Sequence, residues 1–118
     1  MSDFPVDHAA ILVSSLERSM PYYRALLPLL GFSETPDGLW SNGAGFSLKF
    51  DEADPKARPY DRHGAGLNHL GFTAADREAV LRVARGMAAA GFEVPDIQPF
   101  GKAAALFMKD PEIGRAHV

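Results

Sequence analysis

Two histidines, His8 and His69, stand 61 positions apart in closely matching surroundings. Asp7-His8-Ala9-Ala10-Ile11-Leu12-Val13 contains the first, and Asn68-His69-Leu70-Gly71-Phe72-Thr73-Ala74 contains the second. Imidazole is the commonest protein ligand for first-row metal ions. A lone histidine at a strand start is more often a hydrogen-bonded structural residue. Two at equivalent places are brought together if the surrounding segments pack symmetrically, and a duplicated motif can build a metal site in this way. Lys49, in Phe46-Ser47-Leu48-Lys49-Phe50, reads equally as an ammonium for a substrate anion or as a charge snorkelling from a strand edge. His63 lies in a charged stretch and reads as a solvated loop residue.

The elements that must position these residues repeat. Seven residues after each histidine comes a helix N-cap type, Ser15 and then Asp76. Each following helix runs to a Gly-Phe pair, Gly31-Phe32 and Gly91-Phe92. One period of this size means two copies of one supersecondary unit. Val6 to Val13 reads as a strand covered on both faces. Ser14-x-x-Glu17 offers a capping box. Leu16, Met20, Tyr23, Leu27 and Leu30 share a helical face, Pro21 should bend the axis, and Pro28 should end the regular helix near Leu27.

Strands are expected at Phe32–Thr35, Leu39–Ser41 and Phe46–Phe50, separated by the turn signals Pro36-Asp37-Gly38 and Asn42-Gly43. The second unit offers a strand over Leu67–Thr73 and a helix carrying Val80, Val83, Met87 and Ala90. Strands over Val94–Gln98 and Ala103–Met108, a turn at Asp110-Pro111 and a final strand complete it. The expectation is one domain, 1–118, of two βαβββ repeats. They span about 5–50 and 66–118, with a polar surface linker over 51–65.

Composition narrows the function classes. With 118 residues, 47% hydrophobic and 23% charged, the chain has the makings of one ordinary globular core. A net charge of −3 offers no basic footprint, so no nucleic-acid partner is expected. No cysteine is present, which excludes disulfides and thiolate chemistry. No secretory signal or membrane-spanning apolar run is visible, so the expected location is cytoplasmic, with no membrane partner.

The whole chain resembles the vicinal-oxygen-chelate superfamily, which includes glyoxalase I, extradiol dioxygenases, fosfomycin-resistance thiol transferases and bleomycin-resistance proteins. The resemblance rests on four segments. They are Asp7-His8, Ser15-Leu16-x-x-Ser19-x-x-Tyr22-Tyr23 running to Leu30-Gly31-Phe32, Gly66-Leu67-Asn68-His69-Leu70-Gly71-Phe72, and Leu106-Phe107-x-x-Asp110-Pro111.

The fold it implies is α+β, two βαβββ modules forming an open, cup-shaped sheet around a divalent metal (Mn, Fe, Ni or Zn). The ligand positions it implies fall on His8 and His69. A glutamate ligand belongs on the last strand, where this chain has His117. Lys49 falls about where glyoxalase I has a carboxylate, which argues against that enzyme's mechanism without excluding metal. A homodimer is the assembly it implies.

The ending Ile113-Gly114-Arg115-Ala116-His117-Val118 is what a common sequencing adapter encodes, read as ATC GGA AGA GCA CAC GTC and a stop. Residues 112–118 are therefore suspected to be a non-native, adapter-derived tail, with His117 an artefactual ligand. The expected function is that of a glyoxalase-like, metal-dependent lyase, isomerase or dioxygenase-like enzyme acting on a small oxygenated molecule. The alternative is a metal-free small-molecule-binding protein of the bleomycin-resistance type.

Overall fold

The computed structural model describes residues 4–100, 103–109 and 115–117. The order is β1 (His8–Val13), α1 (Leu16–Leu29), β2 (Ser33–Glu34), β3 (Trp40–Ser41) and β4 (Ser47–Glu52). Then come β5 (His69–Gly71), α2 (Arg77–Ala89), β6 (Gln98–Phe100), β7 (Ala103–Ala105), β8 (Phe107–Lys109) and β9 (Arg115–His117). The architecture is α+β with a curved, unclosed sheet, as the sequence leads one to expect.

The two halves repeat one strand order. In the first it is β1-β4-β3-β2, with β1 and β4 parallel. In the second it is β5-β9-β8, again starting from a parallel pair, and β6 pairs with β7. Only Leu106, fully buried, separates β7 from β8, so the expected single strand is interrupted rather than absent. The expected strand over Val94–Gln98 begins only at Gln98. The Asp110-Pro111 turn lies outside the described residues, as do 112–114 and 118 of the suspected tail.

Both helices begin and end by the same chemistry. Ser15 Oγ accepts from Arg18 N at 3.2 Å, and Asp76 Oδ1 accepts from Ala79 N at 2.8 Å. Each side chain satisfies one of the first turn's orphan donors. The cap is therefore Ser15, not the Ser14 capping box. At the other ends, Phe32 N donates to Leu27 O at 2.9 Å and Phe92 N to Met87 O at 3.1 Å. Gly31 N and Gly91 N donate to Pro28 O and Ala88 O. These are two Schellman motifs, which require a left-handed residue at the turn. Gly31 and Gly91 supply it, with φ of 91° and 90°.

Pro28 does not end α1, which runs on to Leu29 with Pro21 and Pro28 inside it. Each proline forfeits one backbone bond. The buried face formed by Met20, Tyr23, Leu26 and Leu27 holds the helix regardless, because tertiary packing supplies most helical stability.

The core joins the halves. Tyr22 meets Phe92 edge-on with centroids 5.2 Å apart, and Phe32 meets Phe72 at 5.8 Å. Such pairs are favoured by the ring quadrupoles. The helices approach so closely at Gly86 that a Cβ there would stand 2.6 Å from Leu29 Cδ1.

β1 presents two faces. Ala9, Ile11 and Val13 turn toward the core, and His8, Ala10 and Leu12 toward solvent. Parallel register with β4 sets Ser47 beside His8, Lys49 beside Ala10 and Asp51 beside Leu12. These residues share the open face of the sheet.

Candidate functional site

His8 and His69 open the first strand of their respective modules and are held by one device. His8 Nδ1 lies 2.8 Å from Asp7 Oδ2, and His69 Nδ1 lies 2.9 Å from Asn68 Oδ1. In each case the partner is the residue immediately before the histidine. A carboxylate oxygen and an amide oxygen only accept, so each bond requires a proton on Nδ1. In the neutral ring the lone pair then belongs to Nε2, the tautomer of a ring oriented for coordination by a second-row partner. The Asn68 amide is itself oriented, because its Nδ2 donates to Arg62 O at 2.6 Å.

The strands carrying these residues are not hydrogen-bonded to one another. The described partner of β1 is β4, and that of β5 is β9. A cavity of about 370 Å³ lies between them. Ala10 to Val13 of β1 line one side, and His69 and Leu70 of β5 the other. Tyr23, Leu26, Leu27, Leu48 and Phe72 form the floor, and Ala53, Ala57, Arg58, Pro59 and Tyr60 of the linker form the roof. His69 therefore reaches the cavity, while His8 and Lys49 do not line it.

Lys49 Nζ stands 3.5 Å from Asp51 Oδ2, with both side chains about half exposed. An exposed pair of this kind contributes little to stability. His63 N donates to Asp61 Oδ1 at 2.9 Å, a local turn contact consistent with a solvated loop residue. The backbone of His117 pairs with Gly71 and Phe107, two steps along β9 from the position opposite His69. Its side chain is outside the described residues. Among the described residues no three histidine or carboxylate side chains cluster closely enough to hold a metal.

Three residues of this region carry no obvious chemical signal in the sequence. Tyr60 OH donates to Asn68 O at 3.1 Å and ties the linker roof to β5. Asn68 ties that roof to His69 through Arg62. Arg58 lines the cavity directly. The signal that could have found Asn68 is its match to Asp7, since an oxygen-bearing side chain precedes both histidines. Nothing local distinguishes Arg58 or Tyr60 from other linker residues.

The fold is shared with known proteins. The description of the Glyoxalase/Bleomycin resistance protein/Dioxygenase superfamily matches residues 6–112. A glyoxalase candidate from Bacillus halodurans is 27% identical, with a TM-score of 0.79 over 95% of this chain and 92% of that one. A glyoxylase/bleomycin resistance protein/dioxygenase domain from Frankia sp. EAN1pec is 21% identical, with a TM-score of 0.78 over 98% and 96%. Lactoylglutathione lyase from Agrobacterium tumefaciens is 16% identical, with a TM-score of 0.70 over 100% and 94%. The last two establish likeness of fold alone. No protein of curated function matches the sequence. With two copies of one strand order and a family match over nearly its whole length, the chain belongs to the glyoxalase/bleomycin resistance protein/dioxygenase superfamily.

Proposed function

We propose that this chain is a glyoxalase-like, metal-dependent enzyme of the lyase, isomerase or dioxygenase type, acting on a small oxygenated molecule. The observation that carries the reading is the matched orientation of His8 by Asp7 and of His69 by Asn68. Two imidazoles, each with Nδ1 held by the side chain before it, suit Mn, Fe, Ni or Zn. Among the described residues no third histidine or carboxylate joins them. A bound divalent ion would supply Lewis-acid polarisation of a substrate oxygen. In this reading Asp7 and Asn68 hold the rings, and the apolar cavity walls exclude water from the bound molecule.

A second reading is favoured by a different observation. The cavity is reached by His69 and not by His8, and its floor is apolar. That arrangement supports a metal-free protein that sequesters a small molecule. Metal analysis separates the two readings. Protein purified without added metal and then reconstituted should hold stoichiometric Mn, Fe, Ni or Zn, and His8→Ala or His69→Ala should lose it. No metal after reconstitution would establish the binder.

We also propose a homodimer. Leu12 is 64% exposed, Val6 73% and Leu67 63%, all beside the first strands of the two modules. Apolar side chains along unpaired strand edges favour cover by another chain. Light scattering tests this, and a strictly monomeric species would refute it.

A further inference from the structure

We propose that the cavity between β1 and β5 takes a small amphipathic carboxylate, with its apolar body on the floor and its carboxylate on the guanidinium of Arg58. This deepens the reading above and rests on its assignment of small-molecule binding to the protein.

Size comes first. A cavity of about 370 Å³ equals roughly a dozen waters at ~30 Å³ each. That suits a single ring or a branched aliphatic body with one head group. Polarity comes next. The apolar lining that water reaches is Ile11, Leu12, Leu67, Leu70 and Phe72, with Leu12 64% and Leu67 63% exposed. These side chains offer water no hydrogen bonds, so an apolar body displaces it readily.

The charge of the lining is one-sided. Among the described residues it contains no aspartate, glutamate or lysine, and Arg58 is the one permanently charged residue there. Among the described residues Arg58 has no ion-pair or hydrogen-bond partner. Arg58 also borders an adjoining hollow formed by the linker itself, beside Asp61 and Arg62. Arg58 is thus an exposed residue that lines both the cavity and the adjoining hollow.

This composition selects the head group. A cation would meet no carboxylate in the lining. A phosphate dianion would meet one guanidinium in the lining, and in the adjoining hollow the charge of Arg62 is offset by that of Asp61. A carboxylate matches a lone guanidinium in charge and in its planar, two-point geometry. The roof carrying Arg58 is tied down by Tyr60 OH donating to Asn68 O, which keeps the anchor close to β5.

Calorimetry on metal-stripped protein tests the proposal. The probes are 4-isopropylbenzoate and 4-isopropylbenzyl alcohol, which share an apolar body and differ in the charged head. The acid should bind about tenfold tighter than the alcohol, the scale expected of one charge-assisted contact. Arg58→Gln should abolish that preference by weakening the acid far more than the alcohol. Ala10→Trp, which fills the cavity from an exposed position on β1 without cutting into the core, should weaken both probes.

Three results would overturn the proposal. They are failure of both probes to bind, equal binding of acid and alcohol to the unmodified protein, and an acid preference that survives Arg58→Gln. Acid binding seen only in metal-loaded protein and lost in His69→Ala would make the metal the anion site, which refutes this inference while supporting the metal-dependent reading. Absence of metal combined with Arg58-dependent binding would do the reverse.

Discussion

Asn68 holds His69 with one arm of its amide and the linker with the other. Its Oδ1 lies 2.9 Å from His69 Nδ1, and its Nδ2 donates to Arg62 O at 2.6 Å. One short side chain therefore couples the loop roofing the cavity to the ring that faces into it. Asn68→Ala should lower metal affinity by about 10–100-fold, the usual scale for removing a partner behind a ligand. Asn68→Asp keeps the acceptor oxygen and should lose less. Nitrogen NMR of the metal-free His69 ring gives an independent readout. The Nδ1-protonated form should dominate in the unmodified protein and in Asn68→Asp, and become mixed in Asn68→Ala. An unchanged tautomer in Asn68→Ala would remove the positioning role.

The two helix stops should be equivalent in energy. Gly31 and Gly91 have φ near +90°, and a Cβ added at either would meet nothing within 4 Å. Substitution by alanine therefore costs backbone strain alone, about 1–2 kcal/mol at each site. Gly43 shows no positive φ and is equally open, so Gly43→Ala should be near neutral. Denaturant unfolding of the three variants checks this. Loss of stability at Gly43 equal to that at Gly31 would contradict the assignment.

Ser19 is fully buried in α1, and its hydroxyl has no hydrogen-bond partner among the described residues. An unpaired buried hydroxyl is destabilising by about 1–3 kcal/mol. Ser19→Ala removes it with little change in volume and should leave the protein as stable or more so. A clear loss of stability would reveal a partner for the hydroxyl.

His117 supplies a test of the chain's ending. If residues 112–118 are adapter-derived, His117→Ala should change metal affinity by no more than about threefold, well below a typical ligand-support loss. A variant with glutamate at position 117, the ligand the resemblance implies on the last strand, should bind metal more tightly. Abolition of metal binding by His117→Ala would instead make His117 a true ligand.

Much of the fold was legible because its signals are local. N-caps at Ser15 and Asp76 and stops at Gly31 and Gly91 depend on bonds spanning three to five residues. Where local rules competed with packing, packing prevailed. Pro28 should stop α1, yet the helix runs through it because Leu26 and Leu27 are buried in the same turn. The Asn42-Gly43 turn shows a subtler shift. Asn42 Oδ1 accepts from Ala44 N and Phe46 N, which moves the left-handed position to Gly45.

By itself the sequence determined the duplication, the caps at Ser15 and Asp76, the glycine stops and the places of His8 and His69, because each follows from residue types a few positions apart. Only the tertiary structure decided that a cavity separates β1 from β5, and that His69 lines it while His8 does not. The same holds for Arg58 and Tyr60, which read as ordinary linker residues until the chain folds over. Their roles depend on where a polar loop settles against a distant strand edge. No periodicity records that placement: the bonds that fix the loop, Tyr60 to Asn68 and Asn68 to Arg62, span only six to eight residues, but the cavity they roof also needs β1, far away in the chain.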